Sequence, residues 1–88
     1  MKLVWSSEAW NSYLEWQDTD RETAIKNNVL IRDAMRNPFR GLGKPEPLRG
    51  DLTGWWSRRI TLHHRLVYRV AGSGQERRLE VAACRQHY

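Results

Sequence analysis

The amino-acid sequence predicts an α+β domain in which two N-terminal helices pack on a curved, mainly antiparallel β-sheet. Three observations carry this prediction. Apolar residues recur at a helical spacing before residue 37, and apolar and polar residues alternate with a period of two after residue 54. All three prolines and four of the six glycines lie between these regions. With 88 residues, the chain is expected to form one domain, residues 1–88.

A short strand and a first helix are predicted at the N-terminus. Residues 2–5 have a strand pattern, and the hydroxyl of Ser6 or Ser7 can cap the helix that follows. That helix is indicated by apolar residues spaced by about 3.6 positions: Ala9, Trp10, Tyr13, Leu14 and Trp16. Trp5, Trp10 and Trp16 are expected to lie in the core or to face a partner, not to stack on a ligand.

A second helix is expected to begin at Thr19-Asp20-Arg21-Glu22, which has the form of a capping box with Thr19 as the capping residue. It should end near Arg36, because the residue before Pro38 is pushed out of the helical region. Its apolar stripe consists of Ala24, Ile31, Ala34 and Met35 and is interrupted by Asn27 and Asn28. These two asparagines leave open how completely the stripe is buried.

The remaining chain is predicted to form a loop and then a sheet. The segment 38–54 is expected to be a loop, and a loop of this length usually has a functional role or is disordered. Strands are expected over residues 55–61, 65–71 and 78–84, joined by turns into a meander of antiparallel hairpins. His63 and His64 lie in the first turn and are expected to face solvent.

Alternation gives the predicted strands two different faces. The middle strand places Leu66, Tyr68 and Val70 towards the helices, which leaves the opposite face for Arg65, Val67 and Arg69. One side of the last strand carries Leu79, Val81, Ala83, Arg85 and His87, although a bulge near its end would reassign His87. The neighbouring strand adds Trp55, Trp56, Arg58 and Arg59. Single-stranded RNA is bound by such aromatic rings and cations, although core aromatics between surface arginines would give a similar pattern.

Charge is distributed unevenly along the chain. Residues 1–33 hold four Lys or Arg and six Asp or Glu, a net charge of −2, whereas residues 34–88 hold eleven and four, a net charge of +7. Twelve of the fifteen cations are arginines, whose planar guanidinium suits phosphate. The C-terminal half is expected either to face a polyanion or to be a solvated basic surface.

Cysteine usage and hydropathy indicate a reduced compartment. Cys84 is the only cysteine, so no internal disulfide can form. The N-terminus lacks a signal-peptide pattern, and no apolar run approaches the roughly 18 residues that span a bilayer. We therefore expect a cytoplasmic protein with no membrane segment.

Cleavage of RNA through its own 2′-hydroxyl requires no serine or cysteine nucleophile. It requires a base for that hydroxyl, a cation for the charge that develops on the phosphate, and an acid for the leaving 5′-oxygen. Glu46, Arg65 and His87 offer these groups, and the carboxylate of Tyr88 would favour the protonated imidazole that an acid needs. We predict no metal site and no cofactor.

Several segments, in this order, form a recognisable set. They are Asn37-Pro38-Phe39, Gly43 to Leu48, Trp56 to Ile60, His64 to Tyr68 and the ending Ala82 to Tyr88, with shorter matches at residues 1–5, 13–16 and 19–20. They resemble the YoeB (Txe) toxins of the RelE/ParE superfamily over essentially the whole chain. The resemblance implies a microbial-ribonuclease-like fold.

The resemblance also implies a function and its residues. The chain would be the toxin of a type II toxin-antitoxin pair, a ribosome-dependent endoribonuclease that cleaves mRNA in the ribosomal A site and stops translation. Its implied partners are a YefM-type antitoxin and a second copy in a homodimer. Glu46 would be the general base, Arg65 the stabiliser of the transition state, His87 the general acid and Tyr88 a group that orients the phosphate or stacks on a base. The implied RNA contacts are Lys44, Arg49, Arg58 and Arg59, to which the patch of aromatics interleaved with arginines adds Trp55.

Three points stay open. Glu46 is a weak base unless it is buried, so it could instead orient Arg65 or the 2′-hydroxyl. A non-cleaving inhibitor of the gyrase-poison branch and a non-catalytic RNA-binding module are alternative functions, although neither needs Glu46, Arg65 and His87 together. Gln86 stands where the family often has a second tyrosine, and the stretch 72–80 looks longer than in compact members.

Overall fold

The computed structural model describes residues 1–85. In chain order its elements are β1 (Lys2–Trp5), α1 (Ser7–Thr19), α2 (Arg21–Arg36), β2 (Glu46–Pro47), β3 (Trp56–Arg59), β4 (Arg65–Ala71) and β5 (Arg78–Ala83), with 3₁₀ turns at Gly50–Leu52 and Gly74–Glu76. The predicted α+β class is confirmed, as are both helices and the three C-terminal strands. No helix within residues 1–85 is long and apolar enough to cross a membrane.

The strands form one sheet in the order β1-β5-β4-β3-β2. The predicted meander of β3, β4 and β5 is antiparallel, and β1 pairs in parallel with β5 at one edge. Residues 46–47 were predicted as part of a loop, but they form the opposite edge strand, β2, antiparallel to β3. Proline has no N–H to donate to a strand ladder and within sheets is found essentially only in edge strands or at bulges. Pro45 and Pro47 therefore made residues 46–47 look like part of a loop in the sequence.

Side chains cap both helices at their first turns. The Ser6 hydroxyl accepts the Ala9 N–H at 3.0 Å, as predicted for α1. The cap of α2 is Asp20, whose carboxylate accepts the Thr23 N–H at 3.1 Å. Thr19, the predicted cap, is instead the last residue of α1, and its hydroxyl donates to the Glu15 carbonyl. The prediction is wrong by one residue because a single residue joins the two helices.

The hydrophobic core lies between the helices and the sheet. Its buried members are Ala9, Trp16, Ala24, Leu30, Ile31, Ala34, Ile60, Leu66, Tyr68, Leu79, Val81 and Cys84. The α2 stripe is continued by Leu30 and by Asn27, whose fully buried side chain lies against the Cys84 thiol. Among the tryptophans, Trp16 enters the core and donates its indole N–H to the Cys84 carbonyl at 2.8 Å. Trp5 and Trp10 pack against each other and Tyr13 nearer the surface.

A β-bulge in β5 reverses the faces at its C-terminal end. Tyr68 pairs with Val81, but the adjacent Val67 pairs with Ala83, so Ala82 is an extra residue. Val81 therefore faces the helices, whereas Ala83 lies on the opposite side. The prediction that these two residues share a side is wrong, and Cys84 takes the core position instead.

Candidate functional site

The sheet has an outer face, opposite the helices, on which the predicted site residues meet. The pairings Glu46 to Ser57, Ser57 to Val67 and Val67 to Ala83 form one row across four strands of this face. Ser57 and Val67 are buried in the floor of the row, whereas Glu46 is exposed at its edge. With strands spaced by roughly 4.8 Å, the backbones at Glu46 and Val67 are about 10 Å apart.

Two arginines occupy the next row of the outer face. Arg59 and Arg65 lie directly opposite each other on β3 and β4, two residues along from Ser57 and Val67. The Arg65 guanidinium donates to the Thr61 carbonyl at 3.2 Å and is half-buried, whereas Arg59 is exposed. Within residues 1–85 neither forms an ion pair, and like charges directly opposite each other repel. This pair of cations is therefore suited to an anionic ligand.

The cations farther along the outer face are already engaged. Glu80 accepts from Arg69 at 2.6 Å and from Arg78 at 2.7 Å, and these bonds, the one from Arg78 being the larger cause, hold the pKa of Glu80 below its ordinary value. Arg69 also lies over the ring of Trp55, with its guanidinium carbon 4.5 Å from the ring centroid. Trp55 is thus on the outer face, as its RNA-binding prediction requires, with one side of its ring covered.

The segment between α2 and β3 carries two further predicted RNA contacts, Lys44 and Arg49, which with Arg59 are here called the basic rim. Lys44 and Arg49 are both exposed. The Gly43 carbonyl accepts the Arg59 N–H at 2.7 Å, which holds Lys44 beside the arginine pair. Gly43 has a φ of 78°, and a Cβ atom there would lie 3.2 Å from the Arg59 carbonyl oxygen, so this position favours glycine. Lys44 itself adopts the left-handed region, with φ of 53°.

Arg58 is buried, contrary to the prediction that it contacts RNA. Its side chain has no exposed surface, so it cannot contact a phosphate, and the prediction that it holds RNA is wrong. The residue pairs with Leu66 and faces the helices rather than the outer face. The alternation of Trp56, Arg58 and Ile60 on one side of β3 was the signal that places it in the core.

All five guanidinium donors of Arg58 are used. Nε donates to the Tyr68 hydroxyl at 2.9 Å, Nη1 donates to Asp33 at 2.5 Å and to the Leu42 carbonyl at 3.1 Å, and Nη2 donates to the carbonyls of Asn37 at 2.5 Å and Arg40 at 3.0 Å. The Leu42 N–H, first, and Arg58, second, hold the pKa of Asp33 below its ordinary value. Burial raises the pKa of Tyr68.

The remaining histidines and the cysteine occupy structural positions. His64 was predicted to face solvent, but it is half-buried and packs edge-on against Trp16, with ring centroids 4.7 Å apart. His63 is exposed, as predicted. Burial raises the pKa of the Cys84 thiol to about 11, which removes the thiolate that a nucleophile would need. No cluster of three metal-ligating side chains occurs in the part of the chain that the structure describes.

The predicted residues His87 and Tyr88 lie outside the described residues. Arg85, the last described residue, turns towards α1, where it pairs with Glu15 and lies over the ring of Trp16 with 5.4 Å from guanidinium carbon to ring centroid. The described part of the site therefore consists of Glu46, the arginine pair and the basic rim.

Comparison with known proteins gives full-length similarity. A family model described as a YoeB-like toxin of a bacterial type II toxin-antitoxin system matches residues 5–88. Toxin YoeB of Escherichia coli K12 is 56% identical over 88 residues and 100% of both chains. A solved YoeB/ParE toxin from Agrobacterium tumefaciens is 61% identical over 100% of both chains, with a TM-score of 0.96.

Two structures from Staphylococcus aureus are similar as well. A YoeB dimer is 37% identical with a TM-score of 0.88, and a heterotetrameric YoeB-YefM toxin-antitoxin complex contains a chain that is 37% identical with a TM-score of 0.87. Each match covers 100% of this chain and 98% of the other.

Proposed function

The chain belongs to the YoeB family of toxins of bacterial type II toxin-antitoxin systems, and from this membership we propose that it is a ribosome-dependent endoribonuclease. It cleaves mRNA in the ribosomal A site and thereby stops translation. The observation that carries this proposal is the grouping of Glu46, Arg59 and Arg65 on one face of the sheet. A carboxylate beside two cations that have no acidic partner within residues 1–85 matches the needs of phosphodiester cleavage.

The reaction is an internal transfer at phosphorus. The RNA 2′-oxygen attacks the adjacent phosphorus and loses its proton to Glu46, while the bond from phosphorus to the 5′-oxygen breaks. Arg65 stabilises the additional negative charge on the phosphate oxygens, and His87 donates a proton to the leaving 5′-oxygen. Tyr88 orients the scissile phosphate or stacks on a base. The products are a 2′,3′-cyclic phosphate, which can open to a 3′-phosphate, and a 5′-hydroxyl.

The rim supplies the binding contacts for RNA. Lys44, Arg49 and Arg59 are exposed along the side of the outer face that carries Glu46, and they contact flanking phosphates. Trp55, which is partly exposed on this face, stacks on a base. Arg58 is not part of this set, because it is fully buried.

The partners follow from the relatives. The S. aureus YoeB proteins were solved as a dimer and in a complex with YefM, so we extend a homodimer and a YefM-type antitoxin to this chain. Its place of action is the cytoplasm, where ribosomes translate mRNA.

Primer extension on a defined mRNA tests the proposal. Purified toxin is incubated with that mRNA either free or held in the A site of assembled ribosomes. We expect cleavage only with ribosomes, and a fall of about 10² to 10⁴ in rate for Glu46→Gln and for His87→Ala. The control Arg21→Ala alters an exposed cation at the start of α2 and should cleave as the unchanged protein does.

The outcomes separate the alternative functions. Growth inhibition that persists in His87→Ala, with no cut RNA, would favour the non-cleaving gyrase inhibitor. Tight RNA binding with no cleavage in any condition would leave only an RNA-binding module. Equal cleavage of free and ribosome-bound mRNA would contradict ribosome dependence.

A further inference from the structure

Arg58, Asp33 and Tyr68 form a buried network, here called the loop anchor, that holds the segment between α2 and β2. The anchor captures four backbone carbonyls of this segment. Those of Asn37, Arg40 and Leu42 accept from Arg58, and that of Pro38 accepts from the Tyr68 hydroxyl at 2.5 Å. The Leu42 N–H donates to Asp33 at 3.0 Å. The backbone carbonyls of this segment thus point inwards, three to the Arg58 guanidinium and one to the Tyr68 hydroxyl.

The fit of this segment is tight. A Cβ atom at Gly41 would collide with the Asp33 carboxylate, and Gly41 adopts a φ of 116° that favours glycine. The Arg58 side chain has no exposed surface, and that of Asp33 is only 21% exposed. A charge so fully desolvated is tolerated because every donor has an acceptor. The segment 37–42 therefore supplies the backbone acceptors that, with Asp33 and Tyr68, satisfy the buried charge.

Strand β2, which carries Glu46, is short, and much of what holds it in place comes from the segments on either side of it. It contains two residues, and the second, Pro47, has no N–H to donate. Beyond the strand itself, the Gly43 carbonyl bonds to Arg59 on one flank, and the Leu48 N–H bonds to the Trp55 carbonyl at 2.9 Å on the other. The position of Glu46 thus depends on how firmly the two flanking segments are held.

A single strand connects the anchor to the site. On β3, Arg58 points towards the helices, whereas its neighbours Ser57 and Arg59 belong to the outer face, opposite Glu46 and Arg65. We propose that Arg58, Asp33 and Tyr68 are positioning residues that hold Glu46 at the reacting 2′-hydroxyl by anchoring the segment 37–42. This role rests on the proposed cleavage function. The anchor touches no substrate and acts only through β2.

Amide hydrogen exchange tests the anchoring independently of catalysis. Tyr68→Phe removes the hydroxyl that links Arg58 to Pro38, and Asp33→Asn removes the charge that pairs with Arg58. Both should speed exchange at the Arg59 amide, which bonds to Gly43, by about 10-fold more than at amides between β4 and β5. The control Leu79→Ala destabilises a buried residue that pairs with Val70 rather than with an anchor residue, and it should speed both sets equally. Equal changes in the anchor variants would overturn the anchoring role.

Steady-state cleavage then tests the positioning. Tyr68→Phe and Asp33→Asn should lower kcat by about 10- to 100-fold with little change in KM, because the rim that binds RNA is intact. Leu79→Ala, assayed well below its melting temperature, should retain kcat. In the background of Glu46→Gln, Asp33→Asn should cause no further loss, since it acts through that carboxylate.

The outcomes distinguish this inference from the proposed function. Additive losses in the double variant, or a kcat for Tyr68→Phe equal to that of the unchanged protein, would overturn positioning. An unchanged protein that never cleaves RNA would overturn the proposed function and the role of Glu46 in it, whereas the exchange measurement would still decide whether the anchor holds β2. Tyr68→Phe keeps the ring in the core, so it remains folded if Asp33→Asn does not.

Discussion

At the scale of single residues, Arg58 and Arg59 show how one position along a strand separates two roles. Arg58 has five acceptors and no solvent contact, whereas Arg59 is exposed next to Arg65 and has no acidic partner within residues 1–85. Both Arg58 and Arg59 are arginines, and they are neighbours in the sequence. Only the alternation of faces decides which guanidinium organises the protein and which is available to RNA.

Asp33 makes the stability of the anchor depend on pH. The Leu42 N–H and Arg58 lower the pKa of Asp33 in the folded protein, so its contribution is complete above the unfolded pKa, near 4, and is lost as pH falls through the folded value. We expect the advantage of the unchanged protein over Asp33→Asn in urea unfolding to shrink progressively below about pH 4. Parallel stability curves for the two proteins from pH 2 to 7 would contradict this.

At the scale of elements, local sequence patterns were sufficient to predict the helices and the meander. They were not sufficient for features that depend on contacts between residues distant in sequence. Helical spacing located α1 and α2, and alternation located β3 to β5, because both patterns depend on neighbouring residues. The strand β2, the Ala82 bulge and the hydrogen-bond partners of Arg58 depend on residues distant in sequence, such as Asp33, which is 25 residues from Arg58. The positions of Glu46 and Arg65 on one face followed from alternation once the register was known.

The start of α1 is joined to the bulge of β5 by one hydroxyl. Ser6 accepts the Ala9 N–H and donates to the Ala82 carbonyl, both at 3.0 Å. Ser6→Ala should lower the free energy of unfolding by about 1 to 2 kcal/mol, since it removes the helix cap and leaves a carbonyl at the bulge unpaired. The matched variant Ser7→Ala, which has no capping role, should lie within about 0.5 kcal/mol of the unchanged protein in the same urea titration. Equal losses in both would show that the cap is not the cause.

At the scale of the whole molecule, charge follows the layers. Residues 7–36, which form the helical layer, contain six of the ten acidic residues, whereas the cations concentrate on the sheet and its rim. Glu80 offsets Arg69 and Arg78, so the part of the outer face with the least compensated charge is the part that carries Arg59 and Arg65. The field of the protein is thus directed towards the end of the sheet at which Glu46 lies.

This distribution predicts the salt dependence of RNA binding. For an RNA whose 2′-hydroxyl at the cleavage site is replaced by hydrogen, the logarithm of the association constant should fall linearly with the logarithm of salt concentration, with a slope of about −0.7 per phosphate contact. Arg59→Gln and Lys44→Gln should each reduce that slope by about 0.7. Arg21→Gln removes the same charge from the helical layer and should leave the slope unchanged. Equal slopes for all three variants would place RNA elsewhere.

The parallel pairing of β1 with β5 has a consequence for the order in which the molecule can fold. As an edge strand, β1 has a single neighbour, β5, which follows the other strands of residues 1–85 in the chain. Trp16 likewise gains its hydrogen-bond partner only when Cys84 has been added. Until β5 has been synthesised, β1 therefore has no partner, and pairing of these two strands completes the described sheet. A protein proposed to attack translating ribosomes thus completes its own sheet only after its fifth strand has been synthesised.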